Sequence, residues 1–108
     1  MTPGLDRVQL EILPANTAED PTEDALRRRL EDAGFSAFCW SDAPDAHYEE
    51  HAHDHDECIW LIAGKIQFGA SGRALVLAPG DRLMLPAGTR HTADAGPDGA
   101  TYLIGQKI

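Results

Sequence analysis

Residues 51–57, His-Ala-His-Asp-His-Asp-Glu, place three imidazoles and three carboxylates in seven positions, and four of the chain's five histidines fall between 47 and 55. Neutral imidazoles and carboxylates are ordinary ligands of divalent transition ions, so the chemistry this composition suggests is the binding of a cation. A charged loop that happens to be rich in histidine would have the same composition, and the rest of the chain decides between the two. Side chains two apart on a strand share a face, so His51 and His53 point the same way if this stretch is extended. The polar residues 54–56 can form a bend, after which Glu57 opens an apolar run. Such a bend would return the Glu57 carboxylate to the two rings. His47 and Glu49 share parity with His51, which makes both candidates for the mouth of the site, Glu49 as an acid or base beside the ligands.

The elements that must hold these residues are mostly strands. After Gly34 the chain reads as short β-prone runs over 35–41, 46–53, 57–63, 65–70, 73–78, 81–86, 90–95 and 100–107. Between them lie turn residues: Gly64, Ser71-Gly72, Pro79-Gly80, Ala87-Gly88 and Gly96-Pro97-Asp98-Gly99. Ser71-Gly72 suits a tight hairpin. This spacing predicts an antiparallel sandwich or barrel. Ahead of it, Val8, Leu10 and Ile12 alternate with polar residues as in a strand with one covered face. A helix of about a dozen residues follows, with Asp20 as cap, Pro21 in the first turn, Glu23 closing a capping box and Gly34 as the stop. Leu26, Leu30 and Ala33 form its apolar stripe. Within 57–63, Glu57, Ile59 and Leu61 face inward, whereas Cys58, Trp60 and Ile62 make the opposite face apolar as well. A strand apolar on both faces must be covered on both. The helix could cover part of it, but the expectation is a second subunit and hence a homodimer.

Bulk properties exclude several classes. The 108 residues suit one domain, and a net charge of −9 argues against nucleic acid or an anionic membrane as partner, since phosphate contacts need clustered Lys and Arg. The basic run at 27–29 lies among acidic residues of the expected helix and reads as a solvated face. No apolar run approaches membrane-spanning length, and the first residues lack a cationic start, so a soluble cytoplasmic protein is expected. Cys39 and Cys58 are too few for a disulfide framework or zinc ribbon and are expected to be buried, unreactive thiols. No Ser-His-Asp set, phosphate-cradling glycine loop or dinucleotide fingerprint is present.

The spacing of the cluster and of a second segment resembles the cupin superfamily, specifically its small single-domain, RmlC-like members. The family's first motif, G-x5-H-x-H-x(3 or 4)-E-x6-G, is matched by His51, His53, Glu57 and Gly64. The second, G-x5-P-x-G-x2-H-x3-N, is matched by Gly80, Pro86, Gly88 and His91. Asp45 stands where the first motif begins with glycine, and Ala95 where the second ends in asparagine. The resemblance covers roughly residues 42–108. It implies an all-β double-stranded β-helix, or jelly-roll barrel, over 35–108, with the strand and short α-helix of 1–34 packed on the barrel or on a dimer partner. It also implies that His51, His53, Glu57 and His91 hold one divalent metal inside the barrel. His55, two residues before Glu57, does not fit the motif and is assigned to the bend, facing solvent. Tyr48, Glu50 and Asp54 are assigned outward.

A site of three imidazoles and one carboxylate suits zinc, iron, nickel or copper, and the carboxylate also admits manganese. A six-coordinate ion would retain two open positions. The resulting expectation is a metal-dependent enzyme, an oxidoreductase of dioxygenase type or an isomerase, acting on a small anionic or vicinal-oxygen substrate. The alternative is a non-catalytic cupin that binds or senses a small ligand. A fold that hosts many activities does not select among them. Few inward positions beyond the ligands are polar, so the chemistry would come from the metal in a small apolar cavity.

Overall fold

The computed structural model describes residues 11–13 and 22–107. Strand β1 (Glu11–Leu13) is followed by helix α1 (Glu23–Asp32), and then by β2 (Phe35–Asp42), β3 (His47–His51), β4 (Glu57–Ala70), β5 (Arg73–Leu77), β6 (Arg82–Leu85) and β7 (His91–Lys107). All pairings are antiparallel. The core of the fold is the pairing of the two longest strands, β4 and β7, with each other along nearly their whole length. The first half of β4 and the second half of β7 carry β6, β1 and β2 on their outer edges. The second half of β4 and the first half of β7 carry β5 and β3. Two sheets that share two strands fold over one core of Ile59, Leu61, Ile66, Phe68, Leu75, Leu77, Leu83 and Tyr102. This is the all-β jelly-roll expected from the sequence.

Four of the expected short strands are therefore halves of two long ones. Gly64 and the Gly96-Pro97-Asp98-Gly99 turn do not end strands; they bend them. Between the pairs Gly64↔Ala100 and Ile66↔Ala95 the register shifts, so residues 96–99 bulge out while pairing resumes on either side. Gly64 has φ +80, and a Cβ there would lie 2.2 Å from the carbonyl oxygen of Gly99. Only glycine lets the two backbones approach so closely. The Ser71-Gly72 hairpin forms as expected, with both residues at positive φ (52 and 73) between the paired Ala70 and Arg73. Asp45, which replaces the motif glycine, also takes φ 60, a conformation that aspartate tolerates better than most residues. Ala95, in place of the asparagine, packs in the core.

Helix α1 begins two residues later than the sequence signals suggest. Thr22 is the N-cap and accepts from the Ala25 amide, while Glu23 pairs with Arg27 instead of closing a capping box. Asp20 and Pro21 lie outside the described residues, as do Val8 and Leu10; Ile12 sits in β1 and packs against the barrel core. Leu26 and Leu30 are buried, but Ala33 is the exposed C-cap and not part of the stripe.

The outer face of β4 is covered within the chain. Cys58 and Trp60 are 1% and 2% exposed, packed with Leu26, Leu30, Phe35 and Leu103 in a second cluster. Gly105 allows this close approach, because a Cβ there would come within 3.3 Å of Leu30 and Phe35. The Trp60 indole donates to the Gly80 carbonyl, and the Arg82 guanidinium stacks over its ring. The helix thus supplies the cover that was assigned to a second subunit, and this face makes no demand for one. Burial pushes the Cys58 thiol up to about 11, in keeping with an inert side chain, whereas Cys39 is only half-buried. Among the described residues no helix is long and apolar enough to cross a membrane.

Candidate metal centre

Cross-strand rows project side chains into the barrel. Glu57 pairs with Gln106, Ile59 with Ile104, and Leu61 with Tyr102; on the next strand, Phe38 and Trp40 continue the second and third rows. Residues directly opposite on antiparallel strands share a face. These rows enclose a cavity of about 270 Å³. Its apolar wall includes Phe38, Ile59, Phe68 and Ile104, and its polar groups include His51, His53, Glu57, His91, Tyr48 and Tyr102.

Three of the four expected ligands converge directly. One ring nitrogen from each of His51, His53 and His91 lies within 4.8 Å of the others. Ring centroids are 4.4 Å apart for His51–His91, 5.0 Å for His51–His53 and 5.3 Å for His53–His91. His51 opens onto the cluster from the end of β3, and its pairing with His91 at the start of β7 brings residues 40 positions apart into register. Glu57, 4% exposed, places Oε1 3.4 Å from His53 Nε2. Its carboxylate groups more closely with His53 and His55 than with His51 and His91.

The hydrogen bonds on the far side of the rings fix which nitrogen is free. His51 Nδ1 lies 2.7 Å from the Glu49 carbonyl and His91 Nδ1 lies 2.9 Å from the Thr89 carbonyl. A carbonyl only accepts, so each Nδ1 carries the proton and each Nε2 keeps a bare lone pair. That arrangement is what a metal-binding imidazole requires. The donor set of His51, His53, His91 and the Glu57 carboxylate therefore fits a divalent transition ion.

Burial lowers the His91 pKa below its ordinary value of 6.5, and the neighbouring His51 and His53 rings add to this against the Thr89 hydrogen bond. The unfolded chain protonates His91 near pH 6.5, while the folded chain keeps it neutral to lower pH. The unfolded state thus binds more protons in that window. Stability contributed by neutral His91 is complete above pH 6.5 and is lost as pH falls from there through the depressed folded value. In metal-stripped protein, the urea midpoint of wild type should fall more steeply than that of His91→Asn between about pH 7 and about pH 5; parallel curves would count against it.

Four residues stand elsewhere than expected. A β-bulge in β3 shifts the register between Tyr48↔Ala93 and His51↔His91. The extra residue reverses the parity, so Tyr48, not Glu49, shares the inward face with His51. Glu49 is exposed and does not line the cavity, and His47 is exposed and pairs with Asp94. His55 does not simply face solvent. Its Nε2 lies 3.1 Å from Glu57 Oε2 and its Nδ1 lies 3.1 Å from Asp54 Oδ1. Hydrogen bonds to Asp54 and then Glu57 raise its pKa above 6.5.

The sequence reading also missed a buried polar group, Asp42. Its two carboxylate oxygens accept from the Trp40 indole at 2.8 Å, the Tyr48 hydroxyl at 2.5 Å and the Tyr102 hydroxyl at 2.7 Å. Burial, followed by the bond to Asp42, drives the Tyr102 pKa far above its ordinary 10. The available signal was weak: one acidic residue closing a run of strand-forming residues.

Known proteins place this arrangement in context. The chain is 30% identical, over 86 aligned residues, to acireductone dioxygenase from Marinobacter nauticus, covering 76% of this chain and 37% of that protein. It thus spans little more than a third of that curated relative. Among solved structures, a cupin superfamily protein from Desulfitobacterium hafniense superposes with a TM-score of 0.62 at 19% identity, covering 93% of this chain and 78% of that one. KdgF from Halomonas sp. gives 0.58 at 22% identity, covering 93% and 79%. At these identities the structures speak for the fold alone. The cupin domain family matches residues 39–104, well over half of the sequence and including every histidine of the cluster, and the chain belongs to that family.

Proposed function

We propose that this cupin is a metal-dependent enzyme in which His51, His53, Glu57 and His91 hold one divalent transition ion, and the adjoining cavity takes a small substrate through neighbouring oxygens. The observation that carries this reading is the pair of locked Nδ1–H groups on His51 and His91, which leaves bare Nε2 lone pairs beside His53 and a buried carboxylate. When bound, an ion with three imidazoles and one carboxylate keeps positive charge and open positions, supplying Lewis acidity or, for iron, nickel, copper or manganese, oxygen chemistry. The backbone carbonyls of Glu49 and Thr89 orient two of the rings. His55 holds one oxygen of Glu57 and leaves the other toward His53. Ile59, Phe68 and Ile104 give the rest of the cavity an apolar wall.

The similarity to a protein named acireductone dioxygenase supports the oxidoreductase branch over the isomerase branch. None of the described residues lining the cavity is a lysine or arginine, which favours a vicinal-oxygen substrate over one that carries a separate anionic group. A second reading, a non-catalytic ligand-binding cupin, is favoured by one observation: both phenols of the cavity wall have their protons engaged by Asp42. Elemental analysis of untagged protein purified without chelator tests the metal site and should find close to one equivalent of a transition ion per chain. No bound ion, even after dialysis against each candidate, would overturn the reading. Oxygen uptake with a panel of enediol and hydroxy-ketone substrates separates catalysis from binding.

A further inference from the structure

We infer that Asp42 makes one wall of the cavity a hydrogen-bond acceptor surface, which selects a compact, uncharged ligand bearing a hydroxyl or amino donor. The inference rests on the cavity being the ligand site of the preceding section, but not on the metal. Three donors converge on a single side chain that is only 9% exposed. An indole N–H can only donate, and a carboxylate has no proton to return. Each phenol has one hydrogen, and both are directed at Asp42, at 2.5 Å from Tyr48 and 2.7 Å from Tyr102. What the two hydroxyls retain for the cavity is oxygen lone pairs. The Trp40 indole occupies part of the capacity of Tyr48 through a contact of 3.1 Å, and Tyr102 keeps the larger share.

The wall therefore accepts and does not donate. A ligand that places a carboxylate, phosphate or carbonyl against Tyr102 sets lone pairs against lone pairs, with Asp42 adding negative charge behind them, and no cationic side chain among the described lining residues offsets this. A hydroxyl or amine at the same place completes a chain of donors running from ligand to phenol to carboxylate. The apolar surface of Phe38, Ile59 and Ile104 beside it suits the carbon skeleton of such a ligand.

Phenol and its methyl ether, anisole, are matched probes: the first donates, the second only accepts. Binding is measured by ligand-observed NMR on the full chain as purified, whatever ion it carries, with metal content determined on each sample. Wild type should prefer phenol by about tenfold, the worth of one hydrogen bond. In Asp42→Asn the new amide donates to one phenol and frees its proton for the cavity, so the preference should fall to about twofold or less through a gain in anisole binding. A merely structural role for Asp42 would weaken both probes alike. If Asp42→Asn does not fold, Tyr102→Phe serves, and it should lose phenol binding while retaining anisole. A phenol preference that is absent in wild type, or that persists unchanged in the folded variants, overturns the inference. Loss of metal from wild type would instead count against the ligand set proposed above, and leaves this comparison intact.

Discussion

Replacing His91 with alanine is expected to lower the affinity for a divalent transition ion about a hundredfold or more while the barrel stays folded. Structural zinc sites yield roughly 10–16 kcal/mol over four ligands, so one ligand is worth about 3 kcal/mol, or about two decades in affinity. His91 is the most buried of the three converging rings, at 3% exposed, and the one proposed ligand that β7 supplies. Its loss leaves His51 and His53, on one short segment, with only the Glu57 carboxylate beside them. The space vacated opens into the existing cavity, and the variant's own stability cost should stay within about 2 kcal/mol, at the low end for large-to-small changes. Competition with a coloured chelator reads the affinity, and circular dichroism reads the fold. Unchanged affinity in a folded variant would reject His91 as a ligand.

Gly64→Ala is expected to be the most damaging of the single-methyl changes. At φ +80 an alanine sits in the left-handed region, which costs about 1–2 kcal/mol. Its Cβ also meets the Gly99 oxygen at 2.2 Å and the Ala100 Cα at 3.0 Å. Both are backbone atoms and cannot rotate away, so β7 must shift, at about 1–3 kcal/mol more. A total near 3 kcal/mol corresponds to a fall in melting temperature of at least about 10 °C for a domain of this size. Gly72→Ala is the control: it has a similar φ of +73 but nothing within 4 Å of the added carbon. It should show the conformational cost alone, about 1 kcal/mol. Equal losses in the two variants would show that the contact between the bent strands is not tight.

The meeting of His51, His53 and His91 was legible because motif spacing records local geometry. His51 closes β3 and His53 follows just beyond it, so their rings meet at the strand's end rather than along it, and the turn ending at Gly88 delivers His91. Ile59 and Leu61 were assigned inward, and Cys58 and Trp60 outward, correctly by strand parity. Parity failed where a residue is inserted. The bulge between Tyr48 and His51 leaves no mark on the sequence, yet it exchanges Tyr48 for Glu49 at the cavity wall. His55 was misassigned because its partner, Glu57, is set by how the bend closes rather than by the period of any element. Asp42 escaped notice because its three donors come from positions 40, 48 and 102, which only the sheet topology brings together. The cover over Trp60 was a matter of packing, and the sequence offered the right helix without showing where it docks.

The sharing of β4 and β7 by both sheets has a kinetic consequence. Their register joins Glu57 to Gln106 and Gly69 to Thr92, so the central pairing of the barrel closes over chain that includes all of β5 and β6. Contacts so distant along the polymer must meet loop-closure entropy before any of their energy is returned, which places refolding in the slow, millisecond-to-second range of β-rich topologies. His53 and His91 lie at opposite ends of that same closure. The pairing of His51 with His91 closes over the same stretch of chain, so the histidine cluster belongs to these long-range contacts and to no local element.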